Sequence, residues 1–511
     1  MKSRMILIIA VALLAVIAQY AADDGGNGFP LGASPSPNPA ANPAAAIRMG
    51  KALFWDEQTG GDGRIACATC HFHNGADNRT LNTINPGAPP GANGKFDVVG
   101  DAGQVFTPRT FSPQFDDIVG SQGIVGSLFV SVNSNADAAD TCTPNETAPF
   151  FHNRRVTGRN TPPMIGATFN RQNFWDGRAN DNFNGNDPFG NTGNQLGAVG
   201  AVVPFSSLAS QAVGPPNNPT EMSCEGRPFN GPNSLAVKML ARQALKLQVV
   251  DPNDSVLGAY RASPTGLTKT YAQLAADAYG TGVVTTDNFS RFWGLAVQAY
   301  VSTLIPNQTP LDKFMAGNSS ALTNNQQRGL GVFTGKGQCS KCHAGPELTD
   351  ASVNFAARRG LINEDGGDQG FHNNGVRPTA EDLGRAGKGP NGVSFSQSGS
   401  KFDRGAFKTP GLRNVNLTAP YFHNGGKATL AAVVDLYDRG GDFANPEKAK
   451  RIKPLGLGSS DKANLVDFLT NGLTDCRTAN EQAPFDHPSL NPPNGAFVSA
   501  TGAGGTGGGC H

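Results

Sequence analysis

Two pentads of the form Cys-x-x-Cys-His constrain this chain more than any other feature. Residues 67–71 read CATCH and residues 339–343 read CSKCH, 272 positions further on. In such a pentad the two thiols can add to the two vinyl groups of a haem. The adjacent His is then held beneath the iron as an axial ligand. Covalent attachment retains the cofactor in a domain too small to bury it fully. Two other chemistries use the same residues. A dithiol redox site needs Cys-x-x-Cys but has no use for the His that follows in both copies. A zinc site could draw on both pairs, since thiolate and imidazole suit Zn²⁺, but zinc fingers of this kind keep their pairs close in sequence. We expect two covalently bound c-type haems, on Cys67 and Cys70 and on Cys339 and Cys342, with His71 and His343 as proximal ligands.

Attachment of c-type haem takes place outside the cytoplasm, and the N-terminus agrees. Lys2 and Arg4 precede an unbroken apolar run over residues 5–18. This pattern reads as a signal peptide over residues 1–22, with an imperfect cleavage site because Gln19 and Tyr20 precede the small Ala21 and Ala22. The run is short for a membrane span of about 20 residues, and no later segment could cross a membrane. The expected location is periplasmic or secreted. Cys142, Cys224, Cys476 and Cys510 remain outside the pentads, an even number that suits disulfides in an exported chain. Their three pairings stay open. The 41 basic and 40 acidic residues nearly cancel, which argues against nucleic acid as a partner.

The chain of 511 residues is long enough for several domains. Residues 23–45, rich in Pro, Gly, Ala and Asn, read as a flexible linker. A first ordered unit begins near Ile47. Within it, about 74–150 and 180–235 are rich in Asn, Gly, Asp and Pro and read as loops. Residues 292–306 predict a helix stopped by Pro306. Leu430, Val433, Val434 and Tyr437 recur at helical spacing before Gly440 and Gly441, and Leu465, Phe468 and Leu469 share a face before Gly472. The scaffold reads as mainly α, with two similar small modules and long irregular loops.

The segments around the pentads are more specific than the pentads. ALFWDEQTGGDGRIACATCH (52–71), GRNTPPMIGATFNRQNFWDGRA (158–179), QAVGPPNNPTEM (211–222), LTNNQQRGLGVFTGKGQCSKCHAGPELTD (322–350) and FKTPGLRNVNLTAPYFHNGGKATLAAVVDLYDRGG (407–441) resemble, in this order, the bacterial dihaem cytochrome c peroxidase and MauG family. The resemblance implies two cytochrome c-like domains with one haem each. An N-terminal, peroxide-reacting domain would span 46–285, with insertions at 74–150 and 180–210. A C-terminal, electron-transfer domain would span 286–480, followed by a tail over 481–511.

By the same resemblance, Glu221 is the distal acid–base group over the first haem, with Gln211 and Pro215 as pocket partners. Proton transfer of this kind typically contributes ~10²–10⁴-fold. Trp175 matches the tryptophan between the haems. Asn160, Thr418 and Pro420 match a calcium site between the domains, where carbonyl and amide oxygens suit a hard cation. Tyr437, 14 residues after His423, stands where many members place a methionine as second ligand of the C-terminal haem and MauG-like members place a tyrosine. No Met follows Met315. An anionic oxygen ligand favours the higher oxidation states.

The resemblance also has limits. The residues before the second pentad are Gly337 and Gln338, where MauG proper has a surface Trp, so chemistry on a partner enzyme's tryptophan is not implied. His152 stands eight residues before Asn160, where it could cap the first haem, although a surface His is the commoner outcome. His73 receives no role. The implied activity is reduction of H₂O₂, with electrons from a small cytochrome or cupredoxin, or from a protein substrate; homodimers are common among such proteins. Two other functions compete. A dihaem oxygenase like the rubber oxygenases would need an apolar distal pocket, which Glu221 opposes. A dihaem electron carrier would need both irons closed by a second ligand.

Overall fold

The computed structural model describes residues 29–133, 138–190 and 197–508. The signal-peptide reading and Cys510 fall outside them. The first core is built on helix α1 (Pro43–Trp55). Asn42 caps it by accepting from the Ala45 N–H at 3.2 Å, and Pro43 occupies its first turn, where the missing N–H is harmless. The helix thus starts inside the stretch read as a linker. Leu31 is buried, and the Pro37 carbonyl accepts from the Gln298 side chain at 3.0 Å. Helix α1 packs on α3 (Tyr271–Tyr279) and α4 (Phe289–Val301), and α4 also packs on α2 (Ser207–Ala212). At the α1–α4 crossing a Cβ on Gly50 would lie 1.8 Å from the Ala296 carbonyl oxygen, so the approach requires glycine.

Two expectations are corrected here. Helix α4 ends at Val301, before Pro306, because Thr303 and Leu304 tighten into i→i+3 bonds with the Tyr300 and Val301 carbonyls. It also belongs to the first core, with Trp293, Ala296 and Tyr300 buried there, although a boundary between 285 and 286 would assign it to the second unit.

The second core repeats the plan. Helix α5 (Asn324–Thr334), opened by a capping box of Thr323 and Gln326, crosses α7 (Ser459–Asp467) at Gly329, where a Cβ would lie 2.1 Å from the Asn464 carbonyl oxygen. Helix α6 (Leu430–Asp438) packs on α7. Leu330, Phe333, Leu465 and Phe468 fill this core.

Among the described residues the strands are few and short, in four two-stranded antiparallel sheets. Three pairs lie in or beside the stretch 74–150 that reads as loop: β1 (Ile84–Asn85) with β2 (Ile118–Val119), β3 (Gln122–Val125) with β6 (Arg154–Val156), and β4 (Ser127–Ser131) with β5 (Thr141–Pro144). Strands of two to five residues are too short to display an alternating pattern. The fourth pair is β7 (Phe371–His372) with β8 (Phe407–Lys408). Cys142 is bonded to Cys224, and Cys476 is also disulfide-bonded.

The segment expected as a tail is built into the first unit. Lys51 is fully buried and meets Asp254 at 2.8 Å and Asp486 at 3.1 Å. The His487 ring stacks on Trp55, and the Ser489 carbonyl accepts from Gln248.

A turn recurs with an offset of 248 residues. Gly166 and Asn414 are left-handed and each opens a 3-10 turn; Phe174 and Phe422 are left-handed, as are Gly177 and Gly425. Trp175 follows Phe174, and His423 follows Phe422. The two copies meet reciprocally: Asn160 N–H donates to the His423 carbonyl at 2.7 Å, and Lys408 N–H donates to the Trp175 carbonyl at 2.8 Å.

Candidate active site: two cavities that share a tryptophan

Each pentad lines its own cavity. The first, about 500 Å³, has Cys67, Cys70 and His71 in its wall together with Gln211, Pro215, Glu221 and Arg178. The second, about 190 Å³, has Cys339, Cys342 and His343 together with Tyr437, His372 and Lys408. Trp175 lines both.

The donor set fits a haem in each cavity. The His71 Nδ1 lies 3.0 Å from the Gly75 carbonyl oxygen, and the His343 Nδ1 lies 3.2 Å from that of Leu348 and 3.1 Å from that of Pro410. A ring whose Nδ1–H is held by a backbone carbonyl presents Nε2 to a metal, the usual second-shell arrangement. Burial lowers the pKa of both rings and keeps them neutral. The four thiols carry no disulfide. Burial pushes Cys67, Cys70 and Cys339 up to about 12. A reactive dithiol site needs the opposite, a depressed pKa. A zinc ion joining both pairs is excluded by their separation into two cavities, and among the described residues neither pentad gathers its two thiols and its His within 4.8 Å.

Glu221 is placed by three devices. The Asn218 side chain accepts from Thr220 N–H at 2.8 Å and Glu221 N–H at 3.2 Å, which fixes the turn. Strand β3 lies against it so closely that a Cβ on Gly123 would sit 2.6 Å from the Glu221 Cα. Beyond it, the Cys142–Cys224 bond and a bridge from Leu128 to Glu225 tie the β4–β5 hairpin to the same loop. The expected insertion therefore buttresses the Glu221 loop. Burial raises the Glu221 carboxyl above the usual range, and the Arg178 guanidinium draws it back. Arg178 stacks over Phe174 at 3.8 Å and pairs with Asp176 at 2.9 Å. Arg178 was not singled out from the sequence, although it sits in the quoted block FWDGRA; a charge that conspicuous in a turn was the available signal.

Trp175 is buried, and its Nε1–H donates to the Asn160 carbonyl at 2.8 Å. Tyr437 lies in the second cavity on α6, with its hydroxyl 3.4 Å from the Asn374 side-chain nitrogen. Burial raises its phenol pKa above the usual value. Lys408 was also missed. It is buried in the second cavity with no ion pair or side-chain hydrogen bond among the described residues, and burial pulls it down to about 8.

Of the calcium residues, the Asn160 side-chain amide lies 2.7 Å from the Pro420 carbonyl oxygen, while Thr418 stands two positions earlier and lines the second cavity. His152 is exposed and does not line the first cavity. His423 is buried and stacks on Phe407 at 3.5 Å; burial pushes it down to about 3.

The family model for di-haem cytochrome c peroxidase matches residues 44–320, more than half of the sequence, and the chain belongs to that family, whose two haems account for two pentads. It is 35% identical over 205 residues to the cytochrome-c peroxidase IdrP2 of Denitromonas iodatirespirans, covering 36% of this chain and 48% of that protein. It is 31% identical over 199 residues to the methylamine utilization protein MauG of Methylorubrum extorquens, covering 39% and 48%. The aligned regions span about half the length of these curated relatives. A solved MauG-like protein associated with microbial copper homeostasis shares the fold, with a TM-score of 0.50 at 20% identity, covering 89% of this chain and 96% of that one.

Proposed function

We propose that this protein is a c-type di-haem peroxidase of MauG-like character that reduces H₂O₂ to water in the first cavity, drawing electrons through the second. The observation that carries the proposal is Glu221, half-buried in the wall of the cavity that His71 also lines and within reach of the Arg178 charge. A haem on Cys67 and Cys70 supplies peroxide binding and redox chemistry there. Glu221 takes a proton from one peroxide oxygen and returns it to the departing one. Gln211 and Pro215 shape the space around it. The overall stoichiometry is H₂O₂, two electrons and two protons to two waters. Trp175, shared by both cavities, is the electron route. Cys339 and Cys342 would hold the second haem, with His343 and Tyr437 as the residues that would ligate it, and a bound cation would favour the phenolate that burial alone disfavours. The electron source is a small redox protein or a protein substrate.

Ionisable Glu221 and Arg178 favour this reading over an oxygenase with an apolar pocket. His152 is exposed and does not line the first cavity, so it would not close that site as a simple carrier requires. Asn160, Thr418 and Pro420 would hold Ca²⁺ once the Asn160 amide, whose N–H donates to the Pro420 and Phe422 carbonyls at 2.7 and 3.2 Å, turned its oxygen to the cation. The protein works in the periplasm or outside the cell, in keeping with its disulfides. No helix among the described residues is long and apolar enough to cross a membrane.

The test is EPR and optical spectroscopy of the ferric protein before and after H₂O₂, in wild type and Glu221→Gln. Expected are an open, high-spin first haem and a peroxide reaction ~10²–10⁴-fold slower in the variant with haem content unchanged. A spectrum that peroxide leaves untouched, even after partial reduction, sinks the proposal.

A further inference from the structure

Away from both cavities, the insertion gathers three carboxylates that the chemistry above does not use. Oxygens of Asp97, Asp116 and Asp117 lie within 4.8 Å of one another. Asp117 is 0% exposed. Its Oδ2 accepts from the N–H groups of Asp97 and Val98, both at 2.8 Å. Its Oδ1 is buried and has no hydrogen-bond partner, and the same is true of the Asp116 Oδ1. Asp116 Oδ2 accepts from Asn93 N–H at 2.7 Å, and Asp97 Oδ2 accepts from Asp116 N–H at 3.2 Å. Among the described residues no Lys or Arg forms an ion pair with any of the three. Arg377, whose charge reaches Asp116, is engaged by Glu381 at 2.7 Å.

Asp117 is buried and Asp116 half-buried, and each keeps one oxygen without a partner; charge gathered there is unfavourable unless a proton or a cation joins it. Burial, followed by the charges of Asp97 and Asp116, pushes the Asp117 carboxyl up to about 6. The side-chain donors gathered there are all carboxylate oxygens, which suit a hard cation and not a soft transition metal. They come from irregular loop, where Ca²⁺, with its variable shell of 6–8 oxygens, is accommodated more readily than Mg²⁺, which demands a near-ideal octahedron.

We propose that Asp97, Asp116 and Asp117 form a second, structural Ca²⁺ site that staples the insertion and fixes it against the C-terminal domain. The insertion has a core of only five buried apolar side chains: Ile84, Val98, Phe106, Phe111 and Val119. Cores that small need a staple. Val98 follows Asp97 directly, and Val119 lies two residues beyond Asp117. The Val119 N–H donates to the Asn424 carbonyl at 2.9 Å, and the Phe111 N–H to that of Gly426 at 2.8 Å. A cation holding residues 97 and 117 together therefore also holds the insertion on the turn that carries His423.

The full-length, haem-loaded protein is stripped with a chelator and dialysed against Ca²⁺. Bound calcium per two haems is then counted by mass spectrometry in wild type and in the Asp116→Asn, Asp117→Asn double variant. The variant is expected to hold one Ca²⁺ fewer. Amide exchange over residues 93–119 is expected to slow at least tenfold on adding Ca²⁺ to the wild type, and to ignore Ca²⁺ in the variant. Equal calcium content in the two proteins overturns the proposal. Should the variant not fold, the wild type decides: exchange over 93–119 that does not respond to Ca²⁺, or responds equally to Mg²⁺, overturns it.

Discussion

Tyr437 and His423 show how much the neighbourhood decides for one side chain. Tyr437 lies on the apolar stripe of α6, where a tyrosine is ordinarily a core residue. Here its hydroxyl shares a cavity with His343. If Tyr437 ligates the second haem as proposed, Tyr437→Phe should convert that haem from low-spin six-coordinate to high-spin five-coordinate in the ferric EPR spectrum. An unchanged spectrum would remove Tyr437 from the coordination sphere. His423 is neutral because burial outweighs the attraction of Asp382. Its pKa falls from the ordinary 6.5 to about 3 on folding. The unfolded chain therefore binds the extra proton in that window, and stability present above pH 6.5 declines as the pH drops towards 3. The slope from this one group reaches about 1.4 kcal/mol per pH unit. Denaturant titrations at several pH values should show it, and His423→Phe should flatten it.

Among the elements, the short strands matter more than their length suggests. Strand β3 contacts the Glu221 backbone through Gly123, and the hairpin of β4 and β5 holds the far side of the same loop through Cys142–Cys224. Gly123→Ala puts a methyl 2.1 Å from the Thr220 carbonyl oxygen. The loop must shift, and a displacement near 1 Å costs about 10²-fold in rate. Stopped-flow mixing with peroxide should show that loss with the Soret spectrum intact; full activity would mean the loop does not need β3. The helices were more legible than these strands. Periodicity and glycine stops locate α6 and α7, but α4 was placed in the wrong unit, since an apolar stripe announces burial without naming the partner. Gly50 and Gly329 carried no local signal at all, because only a crossing helix makes them necessary.

At the scale of the whole molecule, the chain closes on itself. Lys51, buried in α1, is paired with Asp486 across 435 residues. Breaking a buried ion pair by removing one partner costs about 3–5 kcal/mol. Asp486→Ala should lower the unfolding free energy of the haem-loaded protein by roughly that amount; unchanged stability would mean the C-terminal segment is dispensable. The two domains meet through the repeated turn, and that meeting sets Trp175 in the walls of both cavities. Each cavity is assembled from distant stretches: residues 67–71 with 211–222, and 339–343 with 407–437.

The sequence by itself determined the cofactor chemistry, because thiol and imidazole spacing within five residues is set by the local backbone. It also pointed to Glu221, Gln211, Pro215, Trp175 and Tyr437 through segments resembling one family. The tertiary structure alone decided which side chains share a cavity, that Trp175 serves both, that Arg178 and Lys408 face them, and that the C-terminal segment belongs to the first core. These depend on contacts between positions hundreds of residues apart. Such contacts leave no periodicity or spacing behind in the chain, so only packing reveals them.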